Sequence, residues 1–202
     1  NWTDNATGSD TFTVTETNPI TGTKSGVIYN TGDDENGKSI VRTHTELAAA
    51  NFNYVTYRIR FKTADATGDM NYAWKITDGL HGVAANYRLL FNIKSEYLDY
   101  YDAGTWRHVG SLTDNTVYIL NIQVNIDSSA NEDCVRMWFG PDGGAVEEIT
   151  YADGTAYGLA IADVVPSGID RIAFYNCNGP NRGNITLDDI LIYAGEYCET
   201  GD

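Results

Sequence analysis

The chain has 202 residues and a formal net charge of −15, from 28 acidic and 13 basic side chains. So negative a protein repels a nucleic-acid backbone, and no apolar run reaches the roughly 18 residues that a membrane-spanning helix needs, so neither partner is expected. The length is typical of one large β domain, and we predict a single domain over residues 1–202. Abundant Tyr, Gly and Thr with little Lys predict an extracellular, secreted protein.

Alternation of apolar and polar residues predicts antiparallel β-strands along the whole chain. The predicted strands span residues 11–17, 26–30, 39–43, 54–61, 72–77, 86–94, 97–101, 106–110, 117–127, 134–139, 145–150, 169–177 and 185–193. Turns rich in Gly, Asp and Asn separate them, and only residues 46–51 and 157–165 suggest a helical turn. So many short strands predict an all-β, two-sheet antiparallel sandwich.

The three cysteines are Cys134, Cys177 and Cys198. Their spacing matches no zinc site and is too sparse for a disulfide framework. The sequence leaves two states of the cysteines open. Either Cys177 and Cys198 form one disulfide, or all three thiols are reduced.

A stretch in the middle of the chain carries a family resemblance. Residues 96–122 contain a strand, an Asp102-Ala103-Gly104-Thr105-Trp106 hairpin and a strand of alternating aliphatic residues. This order resembles the concanavalin A-like (laminin-G-like) jelly rolls of secreted polysaccharide-degrading proteins. The opening Asp10-Thr11-Phe12 and the closing Leu187-Asp188-Asp189-Ile190 are similar to the first and last strands of that family. The resemblance implies a jelly roll, a fold that serves carbohydrate-binding modules, lyases, glycosidases and adhesion domains alike.

Acidic residues near the two ends of the chain suggest a calcium site. The resemblance implies that the first and last strands are neighbours and share a structural Ca²⁺, for which Asp10, Glu16 and Asp189 are the expected ligands. Adjacent carboxylates in a strand point to opposite faces, so only one of Asp188 and Asp189 can take part. Asp189 is preferred because its apolar neighbours indicate a local kink or bulge. The alternative is that these acids are solvated or accept hydrogen bonds from backbone N–H groups in turns.

Basic, amide and aromatic side chains of the middle strands predict a carbohydrate-binding face. Most of them alternate with aliphatic residues, so we expect these side chains to lie on one side of one sheet. In the family that resembles this chain, that side is the concave one. Arg binds carboxylate or sulfate bidentately, and aromatic rings stack on sugars. The alternatives are ordinary cross-strand pairing and a site at a loop edge, formed by Tyr100, Tyr101 and Trp106. The predicted binding residues are Arg58, Arg60, Trp74, Lys75, Arg88, Tyr100, Trp106, Asn121, Gln123, Arg136 and Trp138.

No catalytic motif is complete. The segment from Arg42 to Leu47 is similar to the Arg-x-Glu-Leu strand of jelly-roll alginate lyases, but it has two extra residues and lacks the companion motifs. No strand offers the paired carboxylates of a retaining glycosidase. We therefore predict a monomeric, non-catalytic carbohydrate-binding module for an anionic polysaccharide, with structural Ca²⁺, beside a catalytic domain of the same parent chain. The alternatives are a lyase that cleaves a uronic-acid polymer by β-elimination with a Tyr or His base, and a structural or adhesion domain.

Overall fold

Fourteen β-strands make up the regular structure of the described residues. The computed structural model describes residues 2–4, 11–16, 19–30, 39–48, 53–64, 72–77, 87–94, 96–102, 104–126, 134–150, 168–176 and 183–197. The strands are β1 (Trp2–Asp4), β2 (Thr11–Thr15), β3 (Ser25–Asn30), β4 (Ser39–Ala48), β5 (Tyr54–Ala64), β6 (Tyr72–Thr77), β7 (Tyr87–Lys94), β8 (Tyr97–Asp102), β9 (Thr105–Ser111), β10 (Val117–Asn125), β11 (Val135–Pro141), β12 (Glu147–Ile149), β13 (Gly168–Asn176) and β14 (Gly183–Ala194). None of these described ranges contains an apolar helix of membrane-spanning length.

The strands form two sheets of seven. Sheet I has the order β1-β4-β13-β6-β7-β8-β9, and sheet II has the order β12-β11-β10-β5-β14-β3-β2. Every pairing is antiparallel. The predicted all-β antiparallel sandwich is confirmed.

The core forms where the apolar face of each sheet meets the other. Ile59 of β5 and Leu120 of β10 are fully buried in sheet II, and Leu89 of β7 is fully buried in sheet I. Phe61 of sheet II packs edge-to-face against Trp74 of sheet I, with ring centroids 5.0 Å apart. Burial of each such side chain stabilises the fold by about 1.5–3 kcal/mol, which accounts for the strict alternation along these strands.

The sequence analysis missed one strand and assigned one segment to the wrong secondary structure. β1 was not predicted, because three residues are too few to establish a period. The helical turn predicted over residues 46–51 is wrong at its start, since β4 stays paired with β13 as far as Ala48, opposite Gly168. Sheet pairing overrides local helix propensity here. The other predicted helical turn, residues 157–165, lies outside the described residues.

The first and last predicted strands are not neighbours, contrary to the implication of the family resemblance. β3 lies between β2 and β14 and pairs with both. A carboxylate at the start of β2 and one in β14 are therefore separated by a full strand, about 5 Å per pairing step.

The kink predicted at Asp189 is confirmed. The pairing of β14 with β5 shifts in register between Asp188 and Leu191. Asp189 takes a positive φ of 42° there, a conformation that Asp tolerates better than most residues. Of the three cysteines, Cys134 is buried and forms no disulfide with another described residue, and the other two lie outside the described residues.

Candidate functional site

Two of the predicted binding residues belong to the core. Trp74 is in phase with Ile76, and its ring packs edge-to-face on Phe91 and Phe174 as well. Tyr100 is fully buried against Phe91. Neither ring presents a face to a ligand, so the prediction that they stack on sugars is wrong. Alternation already carried this signal, because both rings share the parity of aliphatic neighbours.

Burial also excludes Tyr57 and Tyr100 as candidate general bases. Burial raises the pKa of the Tyr100 phenol well above its usual range, and the neighbouring Cys134 and Asp102 raise it further. Burial likewise raises the pKa of Tyr57, with a further contribution from Asp170. Tyr57 Oη lies 3.4 Å from His44 Nε2 between the sheets. A phenol held neutral in this way does not accept a proton near neutral pH.

The outward face of sheet II holds six of the predicted residues, but its positive charge is largely neutralised. Arg60 forms ion pairs with Asp189 and with Asp142. Arg136 binds Glu148 bidentately, at 2.7 Å and 2.8 Å. The expected basic groove is therefore a surface of paired charges. The six outward residues are Arg58, Arg60, Asn121, Gln123, Arg136 and Trp138.

The aromatic platform predicted on that face is covered. Trp138 is only 2% exposed although it points away from the core. Tyr197, in the segment after β14, packs over it with ring centroids 4.5 Å apart, and its backbone N–H donates to Gln123 Oε1 at 2.7 Å. In this structure Trp138 is closed to ligands, because a residue 59 positions further along the chain packs on its ring.

The remaining predicted residues lie on the outward face of sheet I, so the expectation of one side of one sheet is wrong. Lys75 lies between the core residues Trp74 and Ile76, and so it points outward from β6. By the same alternation Arg88 points outward from β7. Arg171 of β13 faces the same way, opposite Thr77. Alternation along a strand distinguishes inside from outside but does not say to which sheet a strand belongs.

Aromatic and ionisable side chains gather on this face at β8 and β9. Tyr101 and Trp106 are paired across the two strands, with ring centroids 5.0 Å apart. One pair further along, His108 Nδ1 lies 3.4 Å from Asp99 Oδ1. The His108 ring also meets Tyr97 edge-to-face at 5.1 Å. The two strands are joined by a tight turn in which Gly104 has a φ of +93°, a conformation open mainly to glycine.

Accessibility increases toward this margin of the sheet. Lys75 and Arg88, nearer the centre, are 9% and 5% exposed, whereas Trp106 and Tyr97 are 45% and 46% exposed. We call Tyr97, Asp99, Tyr101, Trp106 and His108 the β8–β9 margin. Of these residues the set of predicted binding residues contained only Trp106. The alternation of Tyr97, Asp99 and Tyr101 was the signal that could have added the others.

The predicted calcium ligands do not come together among the described residues. Glu16 pairs with Lys24 at 3.1 Å and is largely exposed, whereas Asp189 pairs with Arg60. Asp10 lies outside the described residues. Nowhere in the described ranges do three or more His, Cys, Asp or Glu side chains cluster in a way that could hold a metal ion. The calcium site stays a prediction.

Asp188, the other carboxylate of the pair, has a full set of protein donors. Its Oδ2 accepts hydrogen bonds from the Thr21 N–H at 2.9 Å and from Ser25 Oγ at 2.8 Å, and its Oδ1 accepts one from the Asp189 N–H at 2.8 Å. Burial acts to raise the pKa of Asp188, but the hydrogen bonds from Ser25, Thr21 and Asp189 outweigh it, and the pKa is lowered. This carboxylate fastens the segment before β3 to β14.

Fold and topology define an antiparallel β-sandwich of two seven-stranded sheets. No family model matches the chain, and no curated protein does either. Among solved structures, cellulose induced protein, Cip1, is similar with a TM-score of 0.66 and 13% identity, covering 96% of this chain and 91% of that one. An endo-β-1,4-glucuronan lyase from the fungus Trichoderma reesei has a TM-score of 0.60 at 12% identity, covering 93% of this chain and 88% of that one.

Two further solved structures are similar to this chain. A carbohydrate esterase from Shiga toxin-encoding bacteriophage phi24B has a TM-score of 0.59 at 14% identity, covering 96% of this chain and 90% of that one. A sialidase has the same TM-score at 6% identity, and the chain spans 16% of its length while 86% of this chain is covered. At such identities the likeness shows the fold alone. The resemblance to concanavalin A-like jelly rolls is thereby confirmed for the fold.

Proposed function

We propose that the chain is a carbohydrate-binding domain that holds a polysaccharide at the β8–β9 margin of sheet I. The observation that carries this proposal is the exposed Trp106 ring, set beside Tyr101 on the β8–β9 hairpin. An exposed aromatic ring supported by a second ring is the usual platform for the apolar C–H face of a sugar. The Asp99–His108 pair on the same face offers acceptors and donors for sugar hydroxyls.

The similar structures support the same class of ligand. By their names, a glucuronan lyase and a carbohydrate esterase act on carbohydrates, and each is matched over most of its length. Ligands of β-sandwiches are held by side chains that differ between proteins of one fold, so the argument for a ligand has to come from this chain's own residues. Here the exposed rings and the polar pair lie together on one face, which is what carbohydrate binding requires.

Within this proposal the polysaccharide is anionic. Lys75, Arg88 and Arg171 all point to the outward side of sheet I, the side that carries the β8–β9 margin. Arg171 is also paired with its neighbour Asp170, at 3.7 Å. In a chain with a net charge of −15, basic residues gathered on one face favour a uronate or sulfated glycan there.

Isothermal titration calorimetry with a panel of acidic and neutral glycans tests both parts. We expect an acidic glycan to bind, and Trp106→Ala to weaken binding about tenfold, which corresponds to about 1.4 kcal/mol for one aromatic contact. Tyr193→Ala is the matched control, because Tyr193 is an exposed aromatic residue on the other sheet. Binding of neutral glucans alone would refute the anionic part. No binding of any glycan would refute the whole proposal and favour a structural or adhesion domain.

The second candidate is a polysaccharide lyase, which the Asp99–His108 pair favours. A carboxylate beside an imidazole fixes the orientation of the ring, as a general base requires. Tyr97, which is exposed, and Tyr101, which is half-buried, flank the pair on the same face. The test is incubation with uronate polymers, in which β-elimination produces an unsaturated product that absorbs in the ultraviolet. A rising trace that His108→Ala abolishes would establish the lyase, and a flat trace across alginate, ulvan and glucuronan would eliminate it.

A further inference from the structure

The segment after β14 folds back across sheet II. Gly195 takes a φ of +129°, which turns the chain out of the strand direction. Its N–H donates to the Tyr54 carbonyl at 2.8 Å, and its own carbonyl accepts from Thr56 Oγ1 at 2.8 Å. The chain then runs over β10 and reaches β11, where Tyr197 lies on Trp138. We call residues 195–197 the strap.

The strap covers a surface built from one aromatic ring and two amides. Asn121 is paired in register with Trp138 on one side and with Arg58 on the other, and Gln123 lies two residues further along β10. Asn121 is 2% exposed, and its Oδ1 finds no hydrogen-bond partner among the described residues. A buried amide oxygen without a donor is destabilising, because it has lost its hydrogen bonds to water. A ring with adjacent amides, one of them unsatisfied, is suited to a ligand that supplies hydroxyl donors.

The cation beside the Trp138 ring is already paired. Arg136 has its guanidinium 5.0 Å from the Trp138 ring centroid and is bound bidentately by Glu148. The carboxylate therefore neutralises the cation nearest the ring. A surface of this kind favours an uncharged sugar ring, in contrast to the basic side of sheet I.

The strap is attached at both of its ends. Gly195 is fixed to β5 by two hydrogen bonds, and the contacts of Tyr197 include its ring on Trp138 and its N–H on Gln123 Oε1. To uncover Trp138, residues 196 and 197 would have to give up these contacts and pivot about Gly195. Glycine at this φ allows such a pivot at little steric cost.

We infer that sheet II carries a second binding surface, for a neutral sugar ring, that the strap closes by placing Tyr197 where the sugar would lie. Trp138 is its stacking ring, and Asn121 and Gln123 are its polar partners. A ligand must displace Tyr197 to bind, so the apparent affinity falls by the fraction of molecules in which the strap is open. A strap open a tenth of the time lowers the affinity about tenfold, and its removal restores that factor.

The experiment uses the Trp106→Ala chain, in which the site of the proposed function is disabled. Tyr197→Ala is added, and binding of neutral cello-, xylo- and manno-oligosaccharides is titrated by calorimetry. We expect binding to strengthen about tenfold relative to Trp106→Ala alone. A further Trp138→Ala change should abolish the gain, and Tyr193→Ala in place of Tyr197→Ala should produce none. Because Trp106 is absent throughout, failure of the proposed function leaves this result unchanged.

Acrylamide quenching of tryptophan fluorescence reports whether the ring has been uncovered. Tyr197→Ala should increase quenching, and Trp138→Phe should remove that increase. If the ring is uncovered and the neutral sugars still bind no better, the strap is a structural cover only and the inference is overturned. Should Tyr197→Ala fail to fold, hydrogen exchange at the Tyr197 N–H in the Trp106→Ala chain replaces it. Faster exchange on adding oligosaccharide supports the strap, and unchanged exchange refutes it.

Discussion

Asp189 turns out of the β14 ladder at a φ of +42° and forms an ion pair with Arg60 of the neighbouring strand β5. The bulge thus directs a carboxylate onto a cation that already pairs with Asp142 from the turn after β11. Asp188 lies opposite Arg60 in register. One guanidinium therefore holds together carboxylates from two separate parts of the chain.

Replacing Arg60 should destabilise the fold through these carboxylates. Its side chain is 20% exposed, between the exposed pairs that contribute little and the buried pairs whose disruption costs 3–5 kcal/mol. We expect Arg60→Gln to lower the free energy of unfolding by about 1–2 kcal/mol. Urea unfolding measures it. In an Asp189→Asn background the same change should cost less, and an equal cost in both backgrounds would rule out coupling between the two residues.

The sequence predicts the bulge but not its partner. Asp189 interrupts an aliphatic strand, and a polar residue between apolar neighbours indicates a kink from local pattern alone. The choice of Arg60 depends on β5 being the strand beside β14, a pairing across more than 120 residues of sequence. For the same reason the strands themselves were placed closely, whereas their distribution between two sheets was not.

The binding face predicted on sheet II shows the same difference between what the sequence predicts and what it does not. Alternation correctly places Arg136 and Trp138 outward, since both lie between buried residues of β11. It contains no information on Tyr197, whose packing over Trp138 depends on the path of the chain after the last strand. An outward ring is therefore predictable, but its accessibility is not.

Chelation tests the calcium prediction directly. If Asp10, Glu16 and Asp189 share a structural ion, removing it should lower the melting temperature, because a ligand that binds the native state stabilises it. The measurement is thermal unfolding with and without EDTA, with calcium added back. Glu16→Gln should reduce the effect, whereas Glu147→Gln, on the exposed strand β12, should not. An unchanged melting temperature on chelation would count against the site.

A side chain at position 110 should disturb the contact between the sheets at their β9–β11 edge. A Cβ on Gly110 would lie 2.4 Å from Cε1 of Phe139, far inside van der Waals contact. The Phe139 ring is stacked on Tyr118 at 5.1 Å and cannot easily retreat. Gly110→Ala should therefore lower the free energy of unfolding by about 1–3 kcal/mol, as overpacking does. In a Phe139→Leu background most of that cost should disappear, and an undiminished cost would place the strain elsewhere.

The lowered pKa of Asp188 predicts how stability changes with acidity. Because the folded-state pKa lies below the ordinary value of 3.8, the carboxylate contributes stability at any pH above that value. The contribution is lost as the pH falls from about 3.8 through the folded-state pKa, where the unfolded chain binds the proton first. Asp188→Asn should therefore cost about 1 kcal/mol at neutral pH, through weaker hydrogen bonds to Ser25 and the Thr21 N–H.

The free energies of unfolding of the parent chain and of Asp188→Asn should become more similar as the pH falls. Urea unfolding at neutral pH and at steps below pH 3.8 measures the difference in free energy between the parent chain and Asp188→Asn. We expect that difference to be constant near neutrality and to shrink only in the acidic window, since protonation leaves Asp188 as neutral as Asn. Glu147→Gln, on the exposed strand β12, is the control and should show no such trend. A difference that persists at the lowest pH would mean that shape, and not charge, connects Asp188 to Ser25.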